Sequence, residues 1–170
     1  MQPSLATDGY LSGDELSTVL PSQERMEKGP VAVIECIQDI PCNPCEAACP
    51  FHAISVGQPI TSLPQLAVDK CAGCGACITQ CPGLAIFVVD ASRSGEVGTV
   101  QIPYEYCPVP QAGELVTGLD RRGHAVVDAK VLKTAVSPRA DKTVVVTIEA
   151  PKSTLNMIRG IRVKGGKEHG

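Results

Sequence analysis

Eight of the nine cysteines in this 170-residue chain gather in two short blocks. The later block, Cys71, Cys74, Cys77 and Cys81 followed by Pro82, has the spacing C-x2-C-x2-C-x3-C-P. That run holds a [4Fe–4S] cluster by its thiolates in bacterial proteins. Cysteines three apart on a tight loop can turn successive sulfurs toward one cubane, and Gly73 and Gly75 let the backbone wrap closely around it. The earlier block, Cys36, Cys42, Cys45 and Cys49 followed by Pro50, repeats the second half of the pattern. A structural zinc site usually separates two C-x2-C pairs by a longer insert, whereas four cysteines here lie within eleven residues.

The first block departs from the full pattern, which would place a cysteine where the chain has Asp39. Cys36 lies three residues earlier and supplies the missing thiolate if it reaches back. The count then closes: Cys36, Cys42, Cys45, Cys49, Cys71, Cys74, Cys77 and Cys81 are the eight ligands that two [4Fe–4S] clusters require. The sequence leaves open a Cys36 that is a small buried hydrophobe ending a strand, an Asp39 that ligates instead, and a three-iron cluster at this first site. Cys107, between Tyr106 and Pro108, has no partner spacing and reads as a packed thiol. His52, His124 and His169 are isolated, and Asp69 and Lys70 read as surface residues.

Composition narrows the class. The net charge of -3 gives no electrostatic reason to expect nucleic acid as a partner. An odd number of cysteines at tight x2 spacings favours metal over a disulfide scaffold. No secretory signal opens the chain, and the apolar stretch at 84–89 is far too short to cross a bilayer. These features predict a cytoplasmic protein without a transmembrane segment. With aromatics at 3%, the core must come from Val, Ile, Leu and Ala, and bound metal would add stability to it.

Along the chain, residues 1–29 form a polar arm in which Ser12 or Ser22 can cap a short helix. Residues 30–92 hold the cysteines within an internal repeat of strand, cysteine loop, Cys-Pro and strand. In two-cluster proteins of this pattern the fourth cysteine of each block ligates the opposite cluster. Residues 93–110 read as a linker, turning polar at 91–98 and then punctuated by Pro103, Pro108 and Pro110. Residues 111–165 change character: strands at 115–119 and 125–136 around the turn at 120–123, a turn at 137–141, a strand at 143–148, a helix from about 152 to 159 and a strand at 161–163. They predict a small antiparallel β-barrel for docking, followed by a tail at 166–170. The fold class expected is α+β, a two-cluster bacterial ferredoxin-like domain followed by that barrel-like domain.

From about residue 21 to 162 the chain resembles a more particular family. Pro21-Ser-Gln-Glu-Arg25, the run from Lys28 to Cys36, and Ile40-Pro-Cys-Asn-Pro-Cys45 are similar to ferredoxin-like small subunits of FAD-dependent amino-acid and imino-acid dehydrogenases. Dye-linked proline or hydroxyproline dehydrogenases and opine oxidases are of this type. Pro103-Tyr-Glu-Tyr106, Leu119-Asp-Arg121 and Ile161-Arg-Val163 fit the same picture. The resemblance implies an oxidoreductase subunit with no catalytic site of its own, in a hetero-oligomer whose partner subunits carry FAD or FMN. The alternatives are a free soluble ferredoxin and an iron–sulfur sensor or structural protein.

Overall fold

Strands β1 (Val31–Ile34) and β4 (Ile86–Asp90) are continuous apolar runs, and both lie with all or nearly all of their side chains buried. A strand buried on both faces needs apolar residues at successive positions, which is what these two carry. The computed structural model describes residues 7–138 and 143–164 of the chain. Strand β1 pairs antiparallel with β4, Val31 opposite Val89 and Ile34 opposite Ile86. Between them, β2 (Ile54–Ser55) pairs antiparallel with β3 (Gln65–Leu66) in a separate two-stranded sheet. The two halves of the repeat thus face one another: outer strand pairs with outer strand, inner with inner.

The large sheet continues beyond the cysteine region. Its order is β1-β4-β5-β8-β7-β6-β9, with β5 at Val97–Tyr104, β6 at Leu115–Leu119, β7 at Ala125–Val136, β8 at Val144–Pro151 and β9 at Gly160–Val163. Every pairing in it is antiparallel. On one face of this sheet Val31, Val33, Phe87, Val89, Val100 and Ile102 pack with Val146, Ile148, Leu155 and Ile158. On the other face Ala32, Ile34, Ile86 and Val88 pack under the cysteine loops with Ile54 and Ile78. Full burial of one Val or Ile contributes about 1.5–3 kcal/mol, so the shared strands β1 and β4 tie both packing layers to one hairpin-like pair.

Three expectations change here. The small closed barrel is replaced by an open seven-stranded sheet in which β1 and β9 are the ends of the strand order. The reason lies in Val97–Tyr104, which sits inside the segment read as a linker. Its alternation of Val100, Ile102 and Tyr104 buried with Thr99, Gln101 and Pro103 half-buried makes it a strand that pairs with both β4 and β8. That pairing occupies the edge of β8 on which a separate barrel would have closed. Pro103 breaks the usual strand composition, yet the strand accommodates it opposite Val145. The helix expected at 152–159 is shorter too, a 3-10 turn at Lys152–Thr154 followed by irregular turns.

In the arm, both serines cap helices. Ser12 precedes α1 (Gly13–Val19) in a capping box with Glu15, and Ser22 precedes α2 (Gln23–Lys28) with its hydroxyl accepting from the Arg25 amide. Met26 of α2 is buried against the sheet, and its carbonyl accepts from the Ala91 amide at 3.0 Å. No helix among the described residues is long and apolar enough to cross a membrane. Most of the turn expected at 137–141, His169 and the tail at 166–170 lie outside the described residues.

Candidate metal centre

Each cysteine block passes through a short helical turn and leaves it in the same way. In the first, α3 (Pro44–Ala48) ends with the Cys49 amide donating to Glu46 O. In the second, a 3-10 turn at Ile78–Gln80 ends with the Cys81 amide donating to Ile78 O. Three residues on, His52 and Leu84 both adopt left-handed backbone, at φ 48° and 51°. One residue further, the Ala53 amide donates to Cys49 Sγ at 3.2 Å and the Ala85 amide donates to Cys81 Sγ at 3.4 Å. Left-handed backbone costs about 1 kcal/mol or more at a residue other than glycine, Asn or Asp. The chain accepts it twice, and each time it turns an amide onto a cysteine sulfur. The repeat is therefore one of backbone geometry as well as spacing, although His52 and Leu84 carry no sequence mark of it.

The sulfurs gather around two cavities, and each cavity takes cysteines from both blocks. One is lined by Cys71, Cys74 and Cys77 of the second block with Cys49 of the first. The other is lined by Cys36, Cys42 and Cys45 of the first block with Cys81 of the second. Ala32 and Val88, opposite one another across β1 and β4, floor the first cavity. Ile34 and Ile86, the next pair on the same face, floor the other. The two floors are one two-residue step apart, about 7 Å along the strands.

Cys36 lines its cavity, whereas Asp39 is exposed and does not. Cys107 corrects the expectation of a packed thiol: it is exposed, in the loop beyond β5. The inward position at that end of the strand belongs to Tyr104, whose hydroxyl donates to Pro108 O at 3.1 Å, so the chain reverses with Cys107 on the outside. His52, His124, Asp69 and Lys70 are exposed, and none of them lines either cavity.

The second loop is built for close approach. Gly73 has φ 61°, and a Cβ there would stand 2.4 Å from Pro30 Cβ and 2.6 Å from its carbonyl carbon. Gly75 has φ 78°, and a Cβ there would meet Gln101 Oε1 at 2.6 Å. Gln101 comes from β5, and its amide donates to Gly73 O at 3.5 Å. The Ala32 amide donates to Cys71 Sγ at 3.4 Å. Amides aimed at thiolate sulfurs stabilise their negative charge and tune whatever metal they bind.

Burial pushes the Cys77 thiol up to about 12 and the Cys45 thiol up to about 11, with neighbouring cysteines adding to each. Metal binding at such sites displaces the thiol protons, because thiolate is the ligand form. Among the described residues no three His, Cys, Asp or Glu side chains converge on a point where one metal ion would sit. Thiolates on a single zinc each stand about 2.3 Å from it. Four cysteines lining one cavity are a donor set that would fit an iron–sulfur cluster, which would supply one-electron chemistry there.

Cys74 is exposed, the other lining cysteines being buried or half-buried. It opens into a groove between α3 and the strands β5, β8 and β7, where Lys133 is the charged lining residue.

A buried charge cluster borders the other cavity. Glu35, next to Cys36, accepts from Arg121 Nε at 2.8 Å and from Arg159 Nε at 2.6 Å. Burial acts to raise the Glu35 carboxyl, but the two guanidinium groups outweigh it and hold it below the usual range. Arg159 also lies over the Phe87 ring at 4.9 Å, and burial lowers it to about 10. These residues are 86 and 124 positions from Glu35, a separation no local pattern reveals.

Residues 65–87 match the family model of the 4Fe-4S binding domain. The second cysteine block is thus a 4Fe-4S binding segment of ferredoxin type. A stretch of 38 residues is 45% identical to one of the subunits of the Na(+)-translocating ferredoxin:NAD(+) oxidoreductase complex of Acetobacterium woodii, covering 22% of this chain and 11% of that relative. No solved structure matches the chain.

Proposed function

We propose that the chain is an electron-transfer subunit that holds two [4Fe–4S] clusters and relays single electrons from the flavin of a partner dehydrogenase to a further acceptor. The observation that carries this reading is the crossed sharing of cysteines: two cavities side by side on one strand pair, each ringed by four sulfurs. Cys49, Cys71, Cys74 and Cys77 would hold one cluster, and Cys36, Cys42, Cys45 and Cys81 the other. When bound, such a cluster accepts and returns one electron at a time. The amides of Ala32, Ala53 and Ala85 place donors on Cys71, Cys49 and Cys81, and Gln101 fixes the glycine loop from the neighbouring sheet. Cys36 lining its cavity favours a four-cysteine set there over ligation by Asp39 and over a three-iron cluster.

Exposed Cys74 offers an electron a route between the cluster it would hold and the protein surface. The partner we infer from the resemblance is an FAD-dependent amino-acid or imino-acid dehydrogenase subunit, in a cytoplasmic hetero-oligomer. The strands from 111 onward and the arm at 1–29 would supply its docking surface, with residues 30–92 carrying the clusters. The A. woodii relative is by its name part of an oxidoreductase complex, which is consistent with a permanent assembly.

The test is the ratio of iron to flavin in the tagged protein, purified without oxygen at native expression level. About eight irons per chain with stoichiometric flavin supports docking on a flavoenzyme. The same iron without flavin makes a free ferredoxin the better reading.

A further inference from the structure

Arg25 lies in α2, outside both cysteine blocks, yet its side chain ends on the second of them. Its Nη2 donates to Cys71 O at 2.6 Å and to Pro30 O at 3.3 Å, Nε donates to Val68 O at 2.8 Å, and Nη1 donates to Gly29 O at 3.0 Å. The side chain is half-buried, and it makes no ion pair among the described residues. Lys28, on the same helix, is paired with Glu24 at 2.6 Å. An arginine stays charged, and a half-buried charge is normally matched by a carboxylate. Here four carbonyl oxygens hold the guanidinium in place, and no carboxylate among the described residues forms an ion pair with it.

That charge sits at the start of the loop carrying Cys71, Cys74 and Cys77. A [4Fe–4S] cluster on four thiolates is negative overall, and reduction adds one further negative charge. A fixed cation beside it stabilises the reduced form more than the oxidised one. We propose that Arg25 raises the reduction potential of the cluster held by Cys49, Cys71, Cys74 and Cys77, and is the counter-charge that the N-terminal arm delivers to it. Arg25 lines neither cavity, but its bonds to the Cys71 and Pro30 carbonyls set it at the end of β1 nearer the cavity floored by Ala32, the other being floored farther along by Ile34. This proposal rests on the two-cluster reading above.

The test uses the full chain, purified without oxygen, with Arg25→Met, Arg25→Gln and Arg25→Lys compared by iron content and by dithionite titration followed by electron paramagnetic resonance. The cluster in question is identified as the one whose signal Cys74→Ser removes. With about eight irons retained, Met and Gln should make that cluster about tenfold harder to reduce, a fall of about 59 mV for a one-electron couple, and Lys should stay near wild type. The other signal should hold its potential in all three variants. No shift, or a wild-type potential in the Gln variant, would overturn the proposal while leaving the two clusters in place. Loss of four irons in the Met and Gln variants would also overturn it, making Arg25 a structural strap. Wild-type protein without iron would instead defeat the underlying two-cluster reading.

Discussion

Glu35 accepts two hydrogen bonds from the Arg121 guanidinium, from Nε at 2.8 Å and from Nη2 at 2.5 Å. The first residue stands at the end of β1, beside the cysteine loop; the second is in the turn between β6 and β7. Since β1 and β6 lie near opposite ends of the strand order, this contact joins the cysteine region to the far part of the sheet. Arg159 adds a third charge and donates to the carbonyls of Leu155 and Ile158, which anchors the segment before β9.

Removing the carboxylate would leave two arginines, 4% and 12% exposed, without their counter-charge. Glu35→Ala should therefore destabilise the chain by about 3–5 kcal/mol, the usual cost of breaking a buried pair from one side. Thermal unfolding followed anaerobically should show a drop of roughly 10 °C. Breaking the more exposed Arg93–Glu149 pair should cost at most about 1 kcal/mol. Equal losses in the two variants would mean that the triad carries no special weight.

Gly73→Ala should empty one site. Its Cβ would collide with the Pro30 backbone at a φ of 61°, and the loop carrying three cysteines would have to move. Iron should fall from about eight to about four per chain. Gly95→Ala is the control, because its φ of 85° is similar but nothing lies within 4 Å. That variant should keep its iron and lose only about 1 kcal/mol of stability.

Much of this was readable in the cysteine spacing and the apolar runs. The two blocks, the repeat and strand β7 at Ala125–Val136 follow local rules, and Cys49 and Cys81 each line the cavity of the opposite block. The rest depends on distant parts meeting. Pro103 hid a strand whose alternation makes sense only beside β4 and β8. Without that strand the final third looked like a separate barrel. Left-handed backbone at Leu84 has no signature, since leucine is among the last residues one would place there. Cys107 looked packed because free cysteine usually is, and only the path of the loop past Tyr104 turns it outward.

Cys36→Ser should lower iron at the site it lines, and Asp39→Ala should leave iron unchanged, because Asp39 points to solvent. Iron analysis of the two purified variants decides between them. The reverse pattern would move the ligand role to Asp39.

The most direct measurement is the electron paramagnetic resonance spectrum of the dithionite-reduced protein in four single variants, Cys42→Ser, Cys49→Ser, Cys74→Ser and Cys81→Ser. Cysteines that share a cavity should perturb the same signal: Cys49→Ser should match Cys74→Ser, and Cys81→Ser should match Cys42→Ser. If Cys49→Ser instead matches Cys42→Ser, each block holds its own metal and the crossed arrangement is wrong.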